Sequence, residues 1–242
     1  MSENNEENGA EEDYSDEDDV LDENSNRAKF VFKLGNKEGH LEAPIDLNIS
    51  TMIGIELKPL LWYNYDIGPK KIKLTNTGST VILSAKWKNE HPYLIDGPLL
   101  GKYVFSQLHF HWGKNEMVGS EHYLDGCCMP MEVHAVHYNA DYLSHNEALQ
   151  HDDGITILVY MFRLQPGPNP ALDQILDKLP QIREPNKNVK LTSNDPLVEL
   201  LRPFSDDYFL YWGALTTPDS GLKQRVLWLV SRVPIPIAQE QK

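Results

Sequence analysis

Apolar and polar residues alternate along most of the chain in short runs, which Gly, Pro, Asn and Asp separate at close intervals. Such runs, rich in β-branched and aromatic residues, are typical of β-strands. The clearest are KFVFKL (29–34), KKIKLTN (70–76), TVILSAKW (80–87), YVFSQLHFHW (103–112), MEVHAVHYN (131–139), ITILVYMFRL (155–164) and RVLWLVSRV (225–233). The pattern predicts a mostly β (α+β) fold with a large sheet.

Helical periodicity is clear in only one stretch, PALDQILDKLPQI (170–182), where Leu172, Ile175, Leu176 and Leu179 recur at helical spacing. A weaker helical pattern lies in DPLVELLRP (195–203). We find no internal repeat and no linker after residue 30. With 242 residues and 40% hydrophobic composition, the chain can form one large core. These features predict one domain with a few short surface helices.

Charge is concentrated at the N-terminus. Residues 1–26 hold twelve of the acidic residues and neither Lys nor Arg, whereas the whole chain has a formal charge of -14. We expect residues 1–27 to form a disordered acidic tail, able to bind a basic protein partner, and residues 28–242 to form the domain. The remainder carries only about -2, which argues against nucleic-acid binding.

The sequence has no pattern of a secretory leader and no apolar stretch of the ~20 residues that a transmembrane helix needs. We therefore expect no membrane association. The only cysteines, Cys127 and Cys128, are adjacent, so a disulfide between them would need unusual backbone geometry. Reduced cysteines favour a cytoplasmic location.

Two strands carry histidines in a pattern that suits a metal. In QLHFHWG, His109 and His111 are two residues apart and so share one face of a strand. An isolated pair of this kind is more often structural than metal-binding. In MEVHAVHYN, His134 shares a face with Glu132 and Val136, whereas His137 faces the other way. If the strands are neighbours, three imidazoles can form a triangle.

Three neutral imidazoles with a fourth position open to water describe a catalytic zinc site rather than a structural one. Nitrogen ligands argue against magnesium and calcium, while copper and cobalt remain possible metals. Gln107 and Glu132 lie two residues before His109 and His134, where they can hold the second ring nitrogens. His122 and His137 are interpreted as structural histidines.

Five segments in order, QLHFHWG, GSEHYLDG, MEVHAVHYN, DGITILVYMF and YWGALTTPDSG, resemble the signatures of the α-class carbonic anhydrases. The resemblance extends from APIDL, which begins at residue 43, to the end of the chain. It implies a large, twisted, mainly antiparallel sheet with Zn2+ at the base of a central conical cavity. It also implies a small-molecule substrate, carbon dioxide or bicarbonate.

The same resemblance assigns roles to individual residues. His109, His111 and His134 would bind zinc, with Gln107 and Glu132 as their supports. Glu121 would accept a hydrogen bond from the Thr216 hydroxyl, which then orients the attacking hydroxide. The carbon dioxide wall would comprise Leu215, Val136, Ile157 and Trp228, and Thr217 would contact bicarbonate. All four wall residues would look equally normal in a hydrophobic core.

The chain also departs from the family pattern. Ser79 follows Gly78 where fast members have a histidine, so we expect slow proton export. Asp219 replaces the second proline after the Thr216 motif. The family's backbone acceptor for His111 would come from beyond Lys242, so we expect a weakened site.

Three functions remain open from the sequence. The first is zinc-dependent, reversible hydration of carbon dioxide to bicarbonate and a proton. The second is a non-catalytic carbonic anhydrase-related binding protein, which the acidic extension and the missing shuttle histidine suggest. Members of that group usually lack a zinc histidine, and this chain retains all three. The third is a fragment that binds zinc poorly.

Overall fold

The computed structural model of the chain describes residues 26–34, 42–204, 207–216 and 223–242, excluding the side chain of Thr216. The acidic segment 1–25, Thr217 and Asp219 lie outside the described residues. No helix in the described ranges is long and apolar enough to cross a bilayer.

Fourteen strands and three α-helices make up the described fold. The strands are β1 (Asp46–Leu47), β2 (Leu60–Tyr63), β3 (Lys71–Asn76), β4 (Val81–Lys86), β5 (Tyr93–Asp96), β6 (Tyr103–Trp112), β7 (Tyr123–Leu124), β8 (Cys127–Cys128), β9 (Met131–Asn139), β10 (Ile155–Leu164), β11 (Asn188–Lys190), β12 (Tyr208–Thr216), β13 (Lys223–Ser231) and β14 (Ile235–Ile237). The α-helices are α1 (26–34), α2 (His145–Ala148) and α3 (Pro170–Leu176). Short 3-10 helices span Ile49–Thr51, Leu179–Ile182, Leu197–Glu199 and Gln239–Gln241.

One large sheet dominates the fold, as the alternation of residues predicts. Its strands follow the order β11-β3-β4-β6-β9-β10-β13-β12, with β5 on β6, β2 on β5 and β14 on β10. Most neighbours are antiparallel, whereas β10 runs parallel to β13 and β14. A small second sheet contains β1, β7 and β8. The predicted fold class, mostly β with a large and mainly antiparallel sheet, is confirmed.

The two faces of the sheet bury different clusters because successive strand residues point to opposite sides. One face packs the larger core, in which Leu108, Val133 and Leu158 are fully buried. The other face packs a smaller apolar cluster that includes Val136 and Ile157. His109, His111 and His134 lie on this second face, because they alternate with residues of the larger core.

The prediction of a strand at KFVFKL is wrong, because this segment lies within helix α1. A short apolar run is ambiguous between helix and strand, and here tertiary contacts decide. The Trp212 indole donates to the Val31 carbonyl at 2.7 Å, and the Arg225 guanidinium donates to the Phe32 carbonyl at 3.3 Å. Both carbonyls belong to the last helical turn, which lacks intrahelical donors.

The predicted helix at 170–182 is confirmed in its first half. Asn169 caps α3 by accepting from the Ala171 N–H, and Pro170 occupies the first turn. The helix ends at Leu176, and the last predicted turn is the 3-10 helix beginning at Leu179. The weaker pattern at 195–203, where prolines lie near both ends, forms only a short 3-10 helix.

His137, interpreted from sequence as structural, is fully buried away from the three other histidines of β6 and β9. Its Nδ1 donates to the Ala135 carbonyl at 3.0 Å, so its Nε2 accepts from the Tyr65 hydroxyl. Burial lowers the pKa of His137 to about 3, although the Ala135 carbonyl acts in the opposite direction. The ring is therefore neutral in the folded protein.

This pKa predicts that acid weakens the fold. Below about pH 6.5, His137 is protonated in the unfolded chain. In the folded chain it stays neutral until the pH falls to about 3. The neutral His137 ring therefore costs no stability above pH 6.5. As the pH falls below 6.5, the free energy of unfolding decreases, by about 2 kcal/mol at pH 5. His137→Gln keeps a donor and an acceptor without titrating, so urea unfolding should show a flatter pH profile. Parallel profiles would contradict this assignment.

Candidate metal centre

The pairing of β6 with β9 brings three histidines together. His109 lies directly opposite His134, and His111 lies directly opposite Glu132. The ring centroids of the three histidines are 4.4 to 5.2 Å apart. One ring nitrogen from each histidine lies within 4.8 Å of the other two. The described residues therefore contain a compact group of three imidazoles that could hold a metal ion.

Each histidine has its second ring nitrogen occupied by a side-chain acceptor. His109 Nδ1 lies 3.2 Å from Gln107 Oε1, and His111 Nδ1 lies 3.2 Å from Glu121 Oε1. His134 Nε2 donates to Glu132 Oε1. These bonds fix the tautomers and leave lone pairs on His109 Nε2, His111 Nε2 and His134 Nδ1.

One buried atom tests whether the group fits a metal. His111 Nε2 is inaccessible to solvent, yet it has no hydrogen-bond partner in the described part of the chain. A buried polar atom without a partner is costly, whereas a metal ion would satisfy it. Three nitrogen donors suit Zn2+ in particular, with a fourth position open. The residues present therefore fit the cofactor that the resemblance implies.

Burial keeps the rings of His109 and His134 uncharged, as metal ligation requires. Burial lowers the pKa of His109 to about 3, and the neighbouring His134 and His111 act in the same direction. Burial also lowers the pKa of His134, although its hydrogen bond to Glu132 favours the protonated form. At neutral pH both rings carry one proton each, on the nitrogen that faces the acceptor.

Glu132 connects the histidines to a second layer of the site and is inaccessible to solvent. Its Oε2 accepts from the backbone N–H groups of Glu121 and His122 at 3.1 and 2.9 Å. Its Oε1 accepts from His134 and from His122 Nδ1, the latter at 2.6 Å. Burial would raise the pKa of Glu132, but the hydrogen bonds from both histidines outweigh it and hold the pKa well below its usual range.

His122 and Tyr211 complete this network and were not assigned to the site from sequence. His122 Nε2 lies 2.6 Å from the Tyr211 hydroxyl, so the tyrosine donates when His122 Nδ1 donates to Glu132. His122, Glu132 and His134 also form a second compact group of potential ligands. Because these atoms already bind one another, we interpret that group as the support of the first.

Glu121 contacts a partner that was not expected from the sequence. The sequence predicts that Glu121 accepts from Thr216, but the described structure places its carboxylate on His111 Nδ1. The hydrogen bond from His111 lowers the pKa of Glu121 despite the opposing effect of burial. The Thr216 hydroxyl lies outside the described side chains, so that contact stays a prediction. His111 thus has a side-chain acceptor in the loop between β6 and β7.

This contact predicts that Glu121→Ala weakens metal binding. Without the carboxylate, His111 Nδ1 loses its acceptor and the ring loses its fixed orientation, so zinc affinity should fall 10- to 100-fold. The fold should survive, because the Glu121 side chain is 41% exposed. Competition with a chelator measures the affinity, and Glu116→Ala, in an exposed position of the same loop, is the matched control. Equal affinities in the two variants would contradict the prediction.

The four residues predicted to form an apolar wall lie together. Val136, Ile157 and Trp228 are buried in one cluster, and Leu215 packs against it. The Trp228 ring meets the His134 ring edge to face at 5.1 Å, which joins this cluster to the histidines. Thr217, predicted to contact bicarbonate, lies outside the described residues.

Known proteins share this sequence pattern. Residues 30–242 match the model of the eukaryotic-type carbonic anhydrases. Carbonic anhydrase 1 of Mus musculus is 35% identical over 205 residues, which cover 84% of this chain and 76% of the mouse protein. For carbonic anhydrase 7, the mouse protein is 34% identical over 207 residues and the Homo sapiens protein 33% over 205, each covering 84% of this chain and 75% of the relative. With a family match over most of its length, this chain belongs to the eukaryotic-type carbonic anhydrase family.

Proposed function

We propose that this protein catalyses the zinc-dependent, reversible hydration of carbon dioxide to bicarbonate and a proton. The observation that carries the proposal is the triangle of imidazole nitrogens from His109, His111 and His134, each with its second nitrogen hydrogen-bonded. Membership of the carbonic anhydrase family supports the same reaction. The proposed metal ligands are these three residues.

Zinc bound to this group would act as a Lewis acid and lower the pKa of water to about 7, a value that carbonic anhydrase itself exemplifies. The protein's part is to hold the ligands. Gln107, Glu121 and Glu132 fix the three rings, so little reorganisation is needed when the metal binds. Burial keeps the rings of His109 and His134 neutral, so their proposed ligating nitrogens carry no proton at neutral pH.

Substrate binding is proposed for the apolar wall beside His134. Carbon dioxide is small and carries no net charge, so a wall of aliphatic and aromatic side chains can hold it without a charged partner. Val136, Ile157, Trp228 and Leu215 supply such a surface next to the histidines. We further propose that Thr216 orients the attacking oxygen and that Thr217 contacts bicarbonate, as the resemblance implies.

Proton export is proposed to be the slow half of the cycle. Regeneration of the nucleophile needs a group that titrates near neutral pH between the site and bulk solvent. Ser79 is exposed in the hairpin between β3 and β4, where its hydroxyl lies 3.1 Å from that of Thr77. A hydroxyl has no useful pKa in this range, so it cannot relay protons as a histidine would.

Turnover should therefore respond to small buffers. We expect imidazole to raise kcat several-fold, and Ser79→His to raise kcat without changing kcat/KM, because only the proton step is accelerated. Stopped-flow hydration of carbon dioxide measures both constants. Thr77→His, two residues away in the same hairpin, is the matched control. A kcat independent of imidazole concentration would show that proton transfer is not limiting.

The same measurement tests the function as a whole. Purified protein is loaded with zinc, its metal content is determined, and hydration is followed in imidazole buffer. One zinc per chain with hydration above the buffer rate supports the proposal. One zinc per chain without hydration would overturn it and favour the non-catalytic binding protein.

A further inference from the structure

Four exposed lysines form a patch on one face of the large sheet, which we call the lysine patch: Lys71, Lys73, Lys86 and Lys190. Lys73 on β3 lies directly opposite Lys190 on β11. Lys71 on β3 lies directly opposite Lys86 on β4. Residues directly opposite in antiparallel strands share a face, and so do residues two apart in one strand. The four ammonium groups therefore project from the same side.

The same side of the sheet carries His109, His111 and His134, which we call the histidine triangle. Thr75 pairs with Ile82, Ile82 pairs with His109, and His109 pairs with His134, which makes one continuous row across the sheet. Lys73 is two residues from Thr75 along β3. With about 3.4 Å per residue and 4.8 Å between strands, the Lys73 Cα lies about 12 Å from the His109 Cα.

The patch is unfavourable for folding by itself. Like charges in directly opposed positions destabilise an antiparallel pair, and this patch holds two such pairs. Among the described residues, no carboxylate lies within ion-pair distance of any of the four lysines. Such a concentration of unbalanced positive charge creates an attractive surface for an anionic partner.

We propose that the acid-rich segment at the N-terminus, residues 3–23, binds the lysine patch of the same chain. The twelve carboxylates of this segment, with no Lys or Arg between them, supply the complementary charge. Attachment to the same chain gives an effective concentration near the millimolar range, which favours it over separate molecules. The inference goes beyond the proposed enzymatic function and does not depend on metal.

The chain is long enough for this contact. Helix α1 begins at residue 26 and packs against Trp212 of β12, at the opposite end of the strand order from β11. Seven strand spacings separate β12 from β11, which is about 34 Å. A segment of 25 residues reaches up to about 80 Å when extended. The acidic segment can therefore reach every lysine of the patch.

Carbodiimide crosslinking of the full chain tests the proposal, because it joins a lysine directly to a carboxylate. Peptide mass spectrometry should find crosslinks from residues 3–23 to the lysine patch at least about 5-fold above those to the exposed lysines Lys114 and Lys223. At 0.5 M salt they should fall at least about 5-fold, since exposed charges are screened within a few ångströms. A mixture of 15N-labelled and unlabelled protein distinguishes contacts within one chain from those between chains.

A matched pair of variants completes the test. Lys73→Gln with Lys190→Gln should reduce crosslinking at the remaining patch lysines several-fold, whereas Lys114→Gln with Lys223→Gln should leave it unchanged. Crosslinks that join labelled to unlabelled chains would overturn the proposal in favour of a second copy as the occupant. Crosslinks spread equally over patch and control lysines would also overturn it. So would crosslinks at the patch that persist at high salt.

Discussion

His134→Ala is expected to abolish both zinc binding and carbon dioxide hydration. The variant removes one of the three proposed ligating nitrogens and the donor to Glu132 Oε1. Loss of a ligand should cost more than the 10- to 100-fold in affinity that loss of a supporting residue costs. We therefore expect zinc affinity and hydration rate each to fall by well over 100-fold.

Two measurements separate this loss from unfolding. Zinc at about 100 times its dissociation constant stabilises the native protein by about 2.7 kcal/mol, so it should raise Tm in the unmodified protein and leave Tm unchanged in His134→Ala. His151→Ala is the control, because His151 stacks on Tyr142 away from the histidine triangle. Full zinc occupancy in His134→Ala would show that the three histidines do not form the metal site.

Glu132→Gln is expected to weaken both the fold and the metal site, although it preserves shape. One carboxylate oxygen accepts from two backbone N–H groups and the other from two imidazoles. The amide must place its NH2 group against one of these donor pairs, whichever way it is turned. Two donors that point at each other in this fully buried site are left unsatisfied. Each such group lowers the free energy of unfolding by about 1–3 kcal/mol.

The tautomer of His134 links this defect to the metal. If the amide NH2 faces His134, the ring must accept at Nε2, and its remaining proton moves to Nδ1, the proposed ligating atom. We therefore expect zinc affinity to fall 10- to 100-fold and the free energy of unfolding to fall by about 2–4 kcal/mol. Chelator competition and urea unfolding measure the two effects. Glu184→Gln, in an exposed position, should change neither; a Glu132→Gln variant with unchanged zinc affinity would contradict the argument.

The part of the site that sequence could predict is the part that strand geometry fixes. The two-residue period of a strand places His109 with His111 and Glu132 with His134, and it separates His137 from them. The remaining assumption was that the two strands are neighbours, and the register of β6 on β9 brings His109 opposite His134. The periodicity alone could not supply this register.

Contacts made through loops and distant strands could not be read from the pattern. His122 lies outside a strand and Tyr211 belongs to β12, so nothing in their spacing indicates that their side chains meet. The same holds for Glu121, whose contact with His111 depends on how the segment before β7 folds over β6. The strand prediction for the segment that forms helix α1 was wrong for a related reason. Trp212 and Arg225, which lie far along the chain, stabilise the end of this helix.

The position of the histidine triangle and its acceptors along the sequence affects how the protein can change in evolution. All three candidate ligands and their acceptors lie between Gln107 and His134, whereas three of the four proposed wall residues come from β10, β12 and β13. A lineage can therefore change the proposed substrate wall without changing the segment that carries the candidate metal ligands. At 33 to 35% identity to its mammalian relatives, the chain has had ample room for such change. Substitutions in the proposed wall strands can therefore vary independently of the stretch from Gln107 to His134 that carries the candidate ligands.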